Sequence, residues 1–203
     1  MLEATESLTK KPRVVLTGPP CSGKTTLAKQ LLLAFPETFH YVPEAGTAMI
    51  AVVGVRPPTG NRGAILEFER CLYQAHRVME RLGNIQAWAD RRSALLLDMC
   101  AWDCVSFLPN GTADAWETFG VRREDEFRRY GLVLNLAPAP PEVFERERHN
   151  NPSRVHSCAE SLALAPLIAA TWSGHPGLVT IDGWNWPAKL ADATRIVKAW
   201  LSR

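Results

Sequence analysis

At 203 residues, 46% of them hydrophobic and 22% charged, the chain is long enough for one domain with a full core, and its composition argues against disorder. A formal net charge of +2 without a long Lys/Arg block makes small phosphates a better expectation than nucleic acid. The five cysteines, at 21, 71, 100, 104 and 158, lack CxxC spacing, so neither a disulfide framework nor a zinc site is indicated and reduced thiols in the cytoplasm are expected.

The opening MLEATESLTKKPR has acidic residues where a secretory signal needs a basic start and an apolar core, so residues 1–12 are expected to be a short lead-in. No run approaches the roughly 18 apolar residues of a membrane span. Val14–Leu16 then reads as a buried strand, followed by a glycine loop and a helix over Lys24–Ala34 that Pro36 closes. FHYVP at 39–43 reads as a second strand with Glu44 beyond its tip, and VGVRPPTGNRG at 53–63 as a loop.

Apolar residues at Ile65, Phe68, Leu72, Ala75, Met79 and Leu82 predict a long amphipathic helix over Ala64–Ala89, with Gly83 as its weak point. SALLLDM at 93–99 is a central-strand run with Asp98 near its carboxyl end, and LVLNLA at 132–137 and GLVTID at 177–182 follow the same pattern. Between the last two lie a charged segment, PPEVFERERHNNPSRVHS, and an apolar-periodic helix over Ala159–Trp172; a final helix covers Pro187–Leu201. Strands alternating with helices predict an α/β fold, three-layered, with a central, mostly parallel sheet of about five strands in a single domain over 13–203.

Chemistry enters at Gly18-Pro19-Pro20-Cys21-Ser22-Gly23-Lys24-Thr25, which fits GxxxxGK[ST] at every fixed position and continues into Thr26. In such a P-loop the backbone N–H groups and the helix N-terminus cradle phosphates, Lys24 reaches the β- and γ-phosphates, and the Thr25 hydroxyl takes magnesium. Cys21 sits where a thiol pKa tends to fall, so oxidation and simple fit to a tight turn are both open readings. Switches, motors and kinases share this loop, so the acidic residues must discriminate. Glu44 and Asp98 fall at carboxyl ends of predicted strands, the ligand-binding edge of open α/β sheets, where one carboxylate can organise Mg2+ and another accept a proton; helix capping or solvation is the plainer alternative.

The pieces LTGPPCSGKTTL, YVPEAG, LLLDM, LVLNLAPAP and NNPSR, in that order, resemble the kinase-like group of small P-loop ATPase domains, AAA-type by name. That group is similar to nicotinamide riboside kinase domains and, more distantly, to deoxynucleoside kinases. The resemblance implies ATP and Mg2+ as cofactors, Glu44 as base or hydroxyl ligand, Asp98 as the magnesium-side carboxylate, and a lid-like segment at about 141–156 in which Arg154 aligns with the lid arginine. Asp98-Met99 replaces the group's Asp-Arg pair, which leaves Arg146, Arg148 and Arg154 as candidates for the missing cation, against a solvated charged helix with Glu145 and Glu147 as neighbours.

Arg56, Asn61, Arg62, Gln74 and Arg77 are candidates for acceptor recognition, against a plainer role on solvated faces. Trp184 and Trp186 are candidates for adenine stacking, against packing. The expected function is transfer of the ATP γ-phosphate to a hydroxyl of a small nucleoside-like molecule. A regulatory ATPase acting on a protein partner is the main alternative. A polynucleotide-end kinase is the third, with the near-neutral charge counting against it.

Overall fold

A computed structural model describes residues 9–150 and 156–203. Met1–Leu8 of the lead-in and Asn151–Val155 of the lid-like segment, Arg154 among them, lie outside the described residues.

Five strands, β1 (Arg13–Thr17), β2 (Phe39–Val42), β3 (Ala94–Asp98), β4 (Leu132–Leu136) and β5 (Leu178–Ile181), pair in the order β2-β3-β1-β4-β5. Every pairing is parallel, so the expected mostly parallel sheet is entirely so. Side chains alternate across a strand, and both faces are buried. Val14, Leu16, Leu96 and Leu134 face one core with α1 (Lys24–Ala34), while Val15, Leu95, Leu97 and Val133 face another. These two cores and the sheet between them make the three layers.

Two helices beside the P-loop depart from expectation: α2 went unforeseen, as did the short helices between β3 and β4, and α3 was foreseen with the wrong face. α2 (Ala45–Val53) carries no polar alternation that would reveal it; Glu44 stands at its N-cap, and Gly54, at φ 74°, ends it in the left-handed region that glycine adopts freely. α3 (Arg62–Ala89) begins when the Asn61 side chain accepts from the Ala64 N–H at 3.0 Å. Its most buried line is Leu66, Glu69, Tyr73, His76, Glu80, Gly83 and Ala87, one position round from the apolar stripe read in the sequence, and Leu82 of that stripe is exposed.

Gly83 does not weaken α3. It sits against β2, where an added Cβ would stand 2.5 Å from Val42 Cγ2. The close approach of helix and strand, not a break, explains the residue.

After β3, a 3-10 turn over Ala101–Phe107 and short helices α4 (Ala115–Phe119) and α5 (Arg123–Phe127) lead to β4. Then follow α6 (Pro141–Glu147), α7 (Cys158–Trp172) and α8 (Trp186–Leu201). α7 starts with a capping box in which the Glu160 N–H reaches Ser157 Oγ and Glu160 reaches back to the Ser157 N–H.

Gly83→Ala should therefore destabilise the fold by about 1–3 kcal/mol despite alanine's better helix propensity, because Val42 is buried and short. Urea denaturation checks this, and Val42→Ala in the same chain should recover most of the loss.

Candidate active site

Parallel register sets the positions. Leu16 pairs with Asp98, Thr17 with Asn135 and Val42 with Leu97, so the loops after β1, β2 and β3 leave the sheet at one edge, beside the point where the strand order reverses. A cleft of about 1060 Å³ opens there. Of the loop residues 18–26, all but Pro19 line it.

The loop is held from three sides. Gly18, at φ 136°, lies so close to β4 that a Cβ would meet the Leu136 carbonyl at 2.6 Å. Ser161 Oγ on α7 donates to the Pro20 carbonyl at 2.7 Å, and Lys189 Nζ on α8 donates to the Ser22 carbonyl at 3.3 Å. Lys189 also lies 4.2 Å from the Trp184 ring centroid, and burial lowers its pKa to about 8. Lys24 Nζ donates to the carbonyls of Gly18 at 2.8 Å and Pro19 at 3.1 Å.

The acidic residues gather opposite the loop. Thr25 Oγ1 donates to Asp98 Oδ2 at 2.6 Å and Tyr41 Oη donates to the same oxygen at 3.1 Å, while Asp98 Oδ1 is buried with no hydrogen-bond partner among the described residues. Tyr41 is held firmly protonated by burial and by Asp98, so it acts as a donor. Glu44 occupies the N-cap of α2 but its side chain makes no capping bond there. Its Oε2 accepts from Thr47 Oγ1 at 2.9 Å. Burial raises its proton affinity, Lys24 opposes this, and Asp98 adds to it.

Asp103 was missed in the sequence and is wholly buried behind the loop. It accepts from Thr17 Oγ1 at 2.6 Å, Trp172 Nε1 at 2.8 Å and the Cys100 N–H at 2.9 Å, tying the end of β1 to α7. Burial raises its pKa, and the Thr17 and Trp172 bonds oppose that shift.

Glu69 and His76 were also missed, because polar residues were read as the outer face of α3. Both are buried and both line the cleft. Burial pushes the Glu69 carboxyl up to about 8 and the His76 imidazole down to about 4. Tyr41, next to an expected strand end, was a legible signal that was not used.

Other expected residues fall elsewhere. Arg62 pairs with Asp114 at 2.7 Å, Arg77 with Glu126 at 2.8 Å, and Arg56, Asn61 and Gln74 do not line the cleft. Arg146 lines it, beside Glu147 at 2.8 Å, whereas Arg148 pairs with Glu145 at 3.1 Å and does not. Trp184 and Trp186 line the cleft while packing at the edges of apolar clusters, and Trp186 crowds Gly23, where a Cβ would stand 2.9 Å from its ring. Cys21 also packs at the Val143 and Phe144 cluster, in left-handed backbone at φ 62°.

A sequence model of the AAA domain family matches residues 13–188. The chain belongs to this family.

No curated protein sequence matches it at a significant level. Among solved structures it is similar to the NadR protein in complex with NAD and AMP-PNP, with a TM-score of 0.63 at 15% identity, and to NadR in complex with NR, with a TM-score of 0.61 at 16% identity. Each match covers 96% of this chain and 50% of the other, so the chain spans about half the length of those proteins. Shikimate kinase from Acinetobacter baumannii in complex with shikimate is similar over 95% of this chain and 94% of its own, with a TM-score of 0.52 at 18% identity. The fold is that of a small P-loop kinase-like domain. No helix among the described residues is long and apolar enough to cross a membrane.

Glu69 and His76, both buried on α3, give opposite pH effects. Glu69 binds its proton to about pH 8 in the fold against 4.5 ordinarily, so the folded state holds the extra proton in that window and stability falls as pH rises through it. His76 loses its proton near pH 4 instead of 6.5, so stability rises with pH across that narrower window. Each slope is at most about 1.4 kcal/mol per pH unit. The two slopes cancel between about pH 4.5 and 6.5, so denaturation should show the native fall from about pH 6.5 to 8 replaced in Glu69→Gln by a rise from about pH 4 to 6.5, and extended down to about pH 4.5 in His76→Gln.

Proposed function

We propose that residues 13–203 act as one domain that binds ATP with magnesium and transfers the γ-phosphoryl group to a hydroxyl of a small, nucleoside-like molecule. The observation that carries this reading is the meeting of Thr25 and Asp98 at 2.6 Å, with an unpartnered Asp98 oxygen and Glu44 on the same edge of the cleft.

A hydroxyl and a carboxylate oxygen are hard donors suited to magnesium. Thr25 and Asp98 would hold it, the orphaned Asp98 oxygen being the open valence that fits. When bound, magnesium supplies charge neutralisation at the phosphates.

The chain's own groups do the rest. Loop N–H groups and Lys24 hold the phosphates, Lys24 exchanging its Gly18 and Pro19 carbonyls for phosphate oxygens. Glu44 takes the acceptor hydroxyl's proton as the acceptor oxygen bonds to the γ-phosphorus and the bond to the ADP oxygen breaks. Its raised proton affinity makes it a stronger base than an ordinary carboxylate. Arg146, and Arg154 by its sequence position, supply positive charge in place of the absent arginine at Met99. We place the protein in the cytoplasm, where cysteines that form no disulfide stay reduced.

Incubation with Mg-ATP and a panel of nucleosides and small alcohols, read by mass, should yield a product about 80 mass units above one panel member. ATP hydrolysis with no such product would overturn phosphotransfer in favour of a regulatory ATPase that switches a protein partner. Glu44→Gln should keep ATP affinity while cutting transfer by about 10²-fold or more. Lys24→Ala should lose nucleotide binding.

A further inference from the structure

The α3 wall of the cleft has chemistry of its own that phosphate binding does not use. Glu69 is only 5% exposed, lines the cleft, and its Oε2 has no hydrogen-bond partner among the described residues. An unpaired buried carboxyl oxygen costs about 1–3 kcal/mol or more, so it needs a reason. The Cys104 thiol is its hydrogen-bonding neighbour, and Phe68, Leu72 and Phe107 make the surrounding cleft surface apolar. His76, two turns along the same helix face and 4% exposed, also lines the cleft.

Further along the same buried line, Glu80 provides the contrast. It is satisfied by Arg13 at 3.1 Å, Tyr130 Oη at 3.1 Å, the Ala101 N–H at 3.2 Å and Arg129. Glu80 is structural; Glu69 is not accounted for by the fold.

Charge on this wall is equally one-sided. The described cations lining the cleft are Lys24 and Lys29 of α1 and Arg146 of α6; α2 and α3 contribute none. An anionic group placed against α3 would meet Glu69 and a neutral imidazole, with no cation on that wall to compensate its desolvation.

We infer that the α3 wall is the acceptor-recognition subsite and that Glu69 selects an uncharged or cationic ligand presenting an N–H donor, to the exclusion of anionic ligands. This rests on the proposed function in that the ligand would be the phosphoryl acceptor. Glu69 accepts the N–H at Oε2, and His76 offers one donor and one acceptor nitrogen beside it. Its carboxyl, held protonated at neutral pH by burial, ionises against a cationic partner. A site built to receive a donor discriminates strongly against an isostere that lacks it.

Four aromatic probes of one shape test this by ligand-observed NMR titration: benzamidine, benzamide, benzyl alcohol and benzoate. With the native protein, benzamidine and benzamide should bind at least about tenfold more tightly than benzoate, with benzyl alcohol between. Glu69→Ala should abolish that ranking. Glu69→Gln, which keeps the shape, should retain benzamide and lose the advantage of benzamidine. Benzoate binding as tightly as benzamide, a ranking that survives Glu69→Ala, or no binding of any probe would each overturn the inference. Lys24→Ala should leave the ranking intact, so a failure of phosphotransfer and a failure of this subsite are read separately.

Discussion

Leu16 lies beside Asp98 in the β1–β3 ladder, and the rest of the site depends on that register. It puts the end of β3 directly alongside the loop that follows β1, so the Asp98 carboxylate meets the first turn of α1 at Thr25. A slip of one residue would turn Asp98 to the opposite face of the sheet and bury a carboxylate among aliphatic side chains. Burial of Val15, Leu95 and Leu97 on one face and of Leu16 and Leu96 on the other makes such a slip prohibitive. The same hydrophobic alternation that forms the sheet therefore places the site.

Around that register the chain spends buried polar groups in two ways. Asp103 with three donors and Glu80 with its arginine and tyrosine partners are saturated; they tie β1 to the helices on one side of the sheet. Among the described residues the carboxylate oxygens Asp98 Oδ1 and Glu69 Oε2 are buried without a partner, and both belong to residues that line the cleft. The saturated carboxylates hold the fold together, and the two unpartnered carboxylate oxygens stand where a ligand in the cleft can complete them.

Much of this was legible in the sequence. Four strands fall within the expected runs and β1 extends its run by one residue at each end, and the P-loop, Glu44 and Asp98 line one cleft as their positions at strand ends implied. What was illegible has a common cause. Apolar periodicity places a helix but not its rotation: α3 turns the line Glu69, Tyr73, His76 and Glu80 inward, and the partners that hold Tyr73 and Glu80, such as Glu126 and Tyr130, come from distant segments. Gly83 read as a weak point because its neighbour, Val42, is remote in sequence. The arginines Arg62 and Arg77 read as ligand candidates because Asp114 and Glu126, which hold them, cannot be foreseen from local pattern.

The central claim is that Thr25 and Asp98 form the metal-side half of a nucleotide site. Calorimetric titration of ATP into the purified protein, with and without magnesium, tests it most directly when repeated on Asp98→Asn. Magnesium should tighten ATP binding by at least about tenfold in the native protein and have little effect in the variant. Equal tightening in both, or ATP binding indifferent to magnesium in the native protein, would contradict it.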